Sequence, residues 1–430
     1  MNNFPIPDFS EQNSFSTNAM VSTMHPLASQ IAIDVLKRGG HAVDAALSAA
    51  FILSIIYPFA CGPGSDLVAL CWDNSKGHMH GLLALSSIPD NVLKNWDENS
   101  KSPELGPLSM GIPGTVSGWF DLHQKFGKLP LDQLMSPAIY YSNAGIPVPE
   151  MASIYWKSLE EKLMLWDTPS KIYLRGDRGP HLGEIFRNPS LSRTFKMLAQ
   201  YGKDIFYRGA IAHSLVNDLR SLNSTITFED FTKYKSKWVK PEGITHSAHE
   251  IWSLIHPIAI LDKQYNTKPN IESNLKRNSS SEQTVSMDDY VVNPPEATLP
   301  RAHTGVVINI IDRELNTVSL VMTNYSPFGS GLTSEQYGFV MNNALASYSK
   351  TQSITFPYSP ILVTKDGVLK SIMVPSTKST LIEYLSSLGI NNRAEKKQDL
   401  SESFLLELID EPKRIKGYNN NSFPNSLLGY

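Results

Sequence analysis

The run Gly39-Gly40-His41-Ala42-Val43-Asp44-Ala45-Ala46 decides how this chain folds, because it joins two helices of different character. Before it, Ala28, Ile31, Ala32, Val35 and Leu36 recur at helical spacing. Lys37 and Arg38 occupy the last turn and Gly39 is the expected stop. After it, residues 42–56 read as a second helix, ended by Pro58. This second helix is apolar nearly all round, so it belongs deep in a core. Asp44 is the exception on it, best read as a hydrogen-bonded buried carboxylate near the turn. A loop, Cys61-Gly62-Pro63-Gly64-Ser65, then leads into the apolar strand Leu67–Trp72. Gly77 marks a hairpin, and its partner strand runs from His80 to Leu85.

Farther out, Pro113-Gly114 opens a helix over 115–126 with Gly127 as its stop, and 131–142 reads as another, stopped by Gly145. The middle is helical, with one apolar face over Leu191–Ala199, a stop at Gly202 and a short helix from Phe228 to Phe231. Between Lys263 and Asp289, Asn, Ser, Lys and Glu dominate, the composition of a solvated linker. Beyond it, Thr304–Asp312 and Asn316–Thr323 read as a β-hairpin, as do Ile361–Thr364 and Val368–Val374 around Lys365-Asp366-Gly367. The chain after Gly389 is polar and reads as a loose tail. The N-terminal half is thus helix-rich with strands and the C-terminal third β-rich, with no internal repeat. The expected division is 1–262, a linker or insert at 263–300, and 301–430.

Composition narrows the function. A net charge of −3 and a pI near 6.4 give no basic field for nucleic acid or anionic lipid. Two cysteines, Cys61 and Cys71, allow at most one bridge. The longest apolar stretch, residues 45–57, falls short of the roughly 20 residues a bilayer-spanning helix needs. The opening residues lack a basic segment followed by an apolar one, so the expectation is no signal peptide and a cytoplasmic location by default. His246, His249 and His256 have no metal-site spacing, and no metal or cofactor is expected.

Several segments in order resemble one family. Met20-Val21-Ser22, Pro26-Leu27-Ala28-Ser29 and the run from Gly39 to Ala46 are similar to the amino-terminal signature of the gamma-glutamyltransferases. Cys61–Leu67 looks like that family's glycine-rich turn, and Gly111–Trp119 with Phe126–Pro130 and Pro137-Ala138-Ile139 like its next block. Phe206-Tyr207-Arg208-Gly209, Asp312, Val318-Ser319 and Phe328–Gly331 continue the series. The resemblance implies an α/β (α+β) fold, a four-layer αββα sandwich of the N-terminal-nucleophile hydrolase type. It implies a chain that cleaves itself to expose a threonine, whose amine serves as base for its own hydroxyl. It implies transfer or hydrolysis of the gamma-glutamyl group of glutathione and related amides, with no cofactor.

The chemistry-bearing positions depart from that pattern. The family nucleophile stands seven residues before the aspartate matching Asp312, which here is Gly305, followed by Val306 and Val307. Glycine has no hydroxyl from which acyl-enzyme chemistry could start. Thr304 is the nearest threonine and the candidate catalytic residue, one position out of register, where a strand slip reverses the side chain's face. The arginine expected to hold the substrate carboxylate is absent from Ala84-Leu85-Ser86-Ser87-Ile88-Pro89. The amine-binding acid is absent from Asn342–Tyr348, the double serine from Phe356–Pro360, and the oxyanion glycine pair reads Pro375-Ser376-Thr377-Lys378. The segment from Trp238 to Gly305 is also shorter than in the family. The reading is a catalytically impaired relative, a possible binder of glutathione or a gamma-glutamyl peptide. Alternatives are a working hydrolase or transpeptidase using Thr304 after self-cleavage, and a non-catalytic scaffold or partner of an active relative.

Overall fold

A computed structural model of the chain describes residues 14–95, 102–246, 248–254, 276–277, 304–347, 360–375, 384, 404–409, 414–418 and 427–429. Short strands β1 (Ser14–Ser16) and β2 (Met20–Ser22) precede helices α1 (Pro26–Lys37) and α2 (Ala42–Ile56). The hairpin β3 (Asp66–Asp73) and β4 (His78–Ala84) comes next, then α3 (Asp90–Asn95), α4 (Thr115–Phe126) and α5 (Leu131–Ala144). A helical stretch follows: β5 (Ile146–Pro147), α6 (Glu150–Ser158), α7 (Glu160–Met164), α8 (Asp167–Tyr173), β6 (Ile185–Phe186) and α9 (Pro189–Tyr201). It continues through α10 (Asp204–Tyr207), α11 (Ala210–Ser221) and α12 (Phe228–Lys233). The remaining strands are β7 (Lys237–Val239), β8 (Glu242–His246), β9 (His249–Ser253), β10 (Lys276–Arg277), β11 (Thr304–Ile311) and β12 (Thr317–Tyr325). They end with β13 (Ile361–Lys365), β14 (Val368–Val374), β15 (Phe404–Ile409), β16 (Arg414–Gly417) and β17 (Leu427–Gly429).

The strands form two large sheets. One has the order β17-β2-β11-β12-β3-β4-β7 and the other β1-β16-β15-β14-β13-β9-β8-β10, with every pairing antiparallel. Both draw strands from either side of residues 263–300, a segment outside the described residues apart from β10. Strand alternation divides the core. In β11, Val306, Ile308 and Ile310 face the helices, while Val307 and Ile311 face the eight-stranded sheet. Val68, Leu70, Leu362, Ile372 and Leu406 join them between the sheets. The described helices cover the outer face of the seven-stranded sheet, with α2 lying on β11 and β12 and α4 on β3 and β4. Among the described residues no helix is long and apolar enough to cross a membrane.

The first turn of the molecule folds as its sequence reads. His41 caps α2 through Nδ1, which accepts from Val43 N, and Asp44 accepts in return from His41 N, forming a capping box. The same Asp44 oxygen accepts from Lys128 N and Leu129 N, joining the helix start to the end of α4. Gly39, at φ 85, adopts the left-handed turn that reverses the chain. Every residue of α2 is buried. Cys61 and Cys71 are both free thiols and both buried. The sequence has Asn-X-Ser/Thr triplets at Asn223, Asn278, Asn324 and Asn420, of which Asn223 is exposed and Asn324 is fully buried.

The C-terminal tail departs from expectation. Instead of hanging loose after Gly389, it contributes β15 and β16 to one sheet and closes the edge of the other with β17 against β2. The cause is burial of a few apolar positions among polar ones: Leu405, Leu406, Ile415 and Leu427. A side chain at Gly417 would come within 2.5 Å of Leu427, so the two strands meet this closely only because residue 417 is glycine. Leu427→Ala is expected to cost about 2 kcal/mol of unfolding free energy, read from the urea midpoint. An unchanged midpoint would show the tail to be unimportant for stability.

Candidate active site

Four antiparallel strands end together at one rim of the seven-stranded sheet. β11 begins there at Thr304 and Gly305, β12 ends at Tyr325, β3 begins at Asp66 and β4 ends at Ala84. Thr304 pairs with Tyr325 and Gly305 with Thr323, so the ladder is irregular between the first two residues of β11. Tyr325 takes up the irregularity with φ 72, an uncommon conformation for a bulky residue. Beyond this point the register is regular to Ile311.

Asp312, just past β11, fixes that register. Its carboxylate accepts from Ala42 N at the start of α2, from Glu314 N and Asn316 N in the hairpin turn, and from Asn316 Nδ2. Counting back from this fixed point, Gly305 is buried and shares the inter-sheet face with Val307 and Ile311.

The rim is built around Asp66, which is fully buried. Oδ2 accepts from Ser86 N at 2.6 Å and from Tyr325 OH at 2.7 Å, while Oδ1 accepts from Ser86 Oγ at 2.7 Å and Gly114 N at 3.3 Å. Burial nevertheless pushes the carboxyl up to about 6, against the lowering by its donors. Gly114 must be glycine, because a Cβ there would fall 2.0 Å from Ala84 O. One carboxylate thus gathers β3, the end of β4, the entry to α4 and the end of β12.

The Asn342-Asn343 pair closes the rim from the other side. Asn342 Nδ2 donates to Gly64 O and Gly111 O, and its Oδ1 accepts from Gly111 N and Ala344 N. Asn343 Oδ1 accepts from Ser326 N, and its Nδ2 donates to Glu104 O. These amides are spent on backbone, stitching the glycine turn to the loop after β12.

The positions singled out in the sequence fall as follows. Thr304 opens β11 on this rim and Gly305 follows it. Ser86, in the stretch expected to carry an arginine, is committed to Asp66. In the run expected to hold the amine-binding acid, Ala344 and Leu345 are packed between the sheets. Residues 348–359 and 376–378 lie outside the described residues, so the double-serine and oxyanion segments have no description apart from Pro360 and Pro375. His25 caps α1, and Asp44 accepts from His41 N in the capping box of α2, the hydrogen-bonded buried carboxylate expected there. His246 and His249 are register partners at the β8–β9 turn, His256 lies outside the described residues, and no metal-holding group occurs among the described ones. Sequence reasoning did not single out Asp66 or Tyr325 as partners. Its only signal was an acid opening an apolar strand after a glycine turn.

The sequence profile of the gamma-glutamyltranspeptidase family matches residues 28–261 and 258–362, well over half the chain. The chain belongs to this family. It is 24% identical over 418 residues to a glutathione hydrolase proenzyme of Pseudomonas aeruginosa, spanning 80% of this chain and 74% of that one. It is 27% identical over 384 residues to an oxamate amidohydrolase proenzyme of Klebsiella pneumoniae, spanning 78% and 72%. Cephalosporin acylase from Bacillus halodurans superposes with a TM-score of 0.78 at 21% identity, over 100% of this chain and 99% of that structure. The fold is the mixed α/β, N-terminal-nucleophile hydrolase type expected from the gamma-glutamyltranspeptidase resemblance.

Asp66 gives this site a pH signature. Its folded pKa lies above its unfolded value of 3.8, so the folded state holds the proton more tightly. The resulting stabilisation is complete below pH 4 and is lost as pH rises through about 6. Relative to Asp66→Asn, the wild-type chain should therefore lose about 2 kcal/mol between pH 4 and 7, the larger part of what the whole shift is worth at 1.36 kcal/mol per pKa unit. Urea unfolding of both proteins across that range checks it, and parallel stability curves would contradict it.

Proposed function

We propose that this gamma-glutamyltranspeptidase-family chain folds uncleaved and carries out no acyl transfer, its remaining capacity being to bind glutathione or a related gamma-glutamyl peptide. The observation that carries this reading is Gly305 at the nucleophile position, in a register anchored by Asp312. Acyl transfer in this design needs one residue to supply both a hydroxyl to attack and an amine to take its proton. A glycine there supplies neither a hydroxyl nor any side-chain acceptor for the acyl group. The substrate grips weaken in parallel. A carboxylate is held firmly by a charge-assisted donor such as arginine, and residues 84–89 offer only Ser86 and Ser87.

A second reading rests on the irregular pairing between Thr304 and Gly305. That is the one place where the register of β11 gives way, and a one-residue slip there would bring Thr304 toward the nucleophile position. In that case the chain would be a hydrolase or transpeptidase acting after self-cleavage before Thr304. A third use of the fold, as a non-catalytic partner of an active relative, requires neither residue.

The separating experiment is direct. Purified full-length protein should run as one band on a denaturing gel and release no chromophore from a gamma-glutamyl anilide, with Thr304→Ala indistinguishable from wild type. Two fragments meeting before Thr304, with turnover abolished by Thr304→Ala, would establish the second reading. Calorimetric titration with glutathione should give saturable heat. Its absence would remove the binding role and leave the scaffold.

A further inference from the structure

The loop that carries Tyr325 away from β12 is tied to the helical layer by packing, by Phe328 N donating to Phe59 O, and by one charged side chain. Lys162 of α7 reaches it across 165 residues of sequence and donates from Nζ to Pro327 O and Gly329 O, both at 2.7 Å. The loop needs such a hold. Tyr325 at φ 72 and Phe328 at φ 57 are left-handed without being glycine, and Gly329 and Gly331 are left-handed as well. Inside the loop, Gly329 N donates to Ser326 O and Gly331 N to Phe328 O, both at 2.8 Å. Phe328 is buried against Trp156 and Tyr173 of the same helical layer. A side chain at Gly329 would fall 2.2 Å from Met341 O, so the loop is also pressed closely against the strand-like segment behind it.

We propose that Lys162 is a positioning residue of the rim. Seated on the carbonyls of Pro327 and Gly329, it sets the left-handed turns of loop 325–331 and with them the place of the Tyr325 phenol against Asp66. Its hydrogen bonds among the described residues go to the loop, and it acts through the loop. The assignment holds whether or not the chain turns over a substrate.

The titration of Lys162 makes the role measurable. Burial lowers its ammonium to about 8, with Glu104 of the neighbouring 102–109 segment opposing the shift. On its own helix, Glu160 is engaged with Gly179 N, and Glu161 is exposed. A lysine that leaves the loop for water returns to the ordinary 10.5. The seated state therefore holds its proton more weakly than the unseated one, and seating strengthens as pH rises above 8. The neutral amine still has two N–H groups for the two carbonyls.

Hydrogen exchange of the full chain, read by mass spectrometry and corrected for intrinsic rates, tests this. In Lys162→Met, protection of the 325–331 amides should fall at least tenfold at pH 7, while the β3–β4 hairpin is unchanged. In the wild type, protection of the same loop should rise between pH 8 and 10, and in Lys162→Met it should not. Unaltered protection in Lys162→Met, a loss spread evenly over the molecule, or a wild-type profile flat across that range would overturn the assignment. Should Lys162→Met fail to fold, the wild-type pH profile alone decides.

Discussion

The carboxylate of Asp312 is the constraint on which the rest of the account depends. It receives four donors, one from the first turn of α2 and three from the β11–β12 turn, so helix and hairpin are set against each other at a single point. A strand pair anchored in this way cannot slide without breaking several buried hydrogen bonds, each costly to leave unmade. The identity of every residue along β11 relative to the sheet follows from that anchor. Gly305 is where it is because Asp312 is where it is.

At the far end of the same strands a second buried carboxylate plays a complementary part. Asp66 gathers four segments at the rim on which Thr304 and Gly305 open β11. The rim is therefore preserved as architecture: a glycine that no side chain can replace at position 114, an asparagine pair spent on backbone, and a strained tyrosine held from both sides. On the reading proposed above, what the rim lacks is the reactive chemistry. The positions that the family resemblance implies would react or grip charge read glycine, serine and alanine, while Asp66, Asn342 and Asn343, which hold the loops together, are fully bonded.

Much of this was legible in the sequence, and the physical reason is locality. The α1–α2 turn, the buried, hydrogen-bonded state of Asp44 and the hairpins at Gly77 and Gly367 depend on residues a few positions apart, where spacing and turn chemistry suffice. The family resemblance rested on the same compact motifs. Asp66 and Tyr325 are 259 residues apart, and Lys162 and Gly329 are 167 apart. No periodicity predicts such pairs, because only the closed sheet brings them together. The tail was misread for a related reason. Strands of three to six residues with polar flanks carry little alternation of their own, and their burial depends on the sheets they extend.

The most direct test of the central claim is the intact mass of the purified 47.8 kDa chain after incubation with an electrophilic glutamine analogue that alkylates N-terminal nucleophiles. The account predicts a single species of unaltered mass, because β11 offers no hydroxyl at residue 305. A mass increase of one adduct, mapped by peptide fragmentation to Thr304 at a newly formed N-terminus, would contradict it.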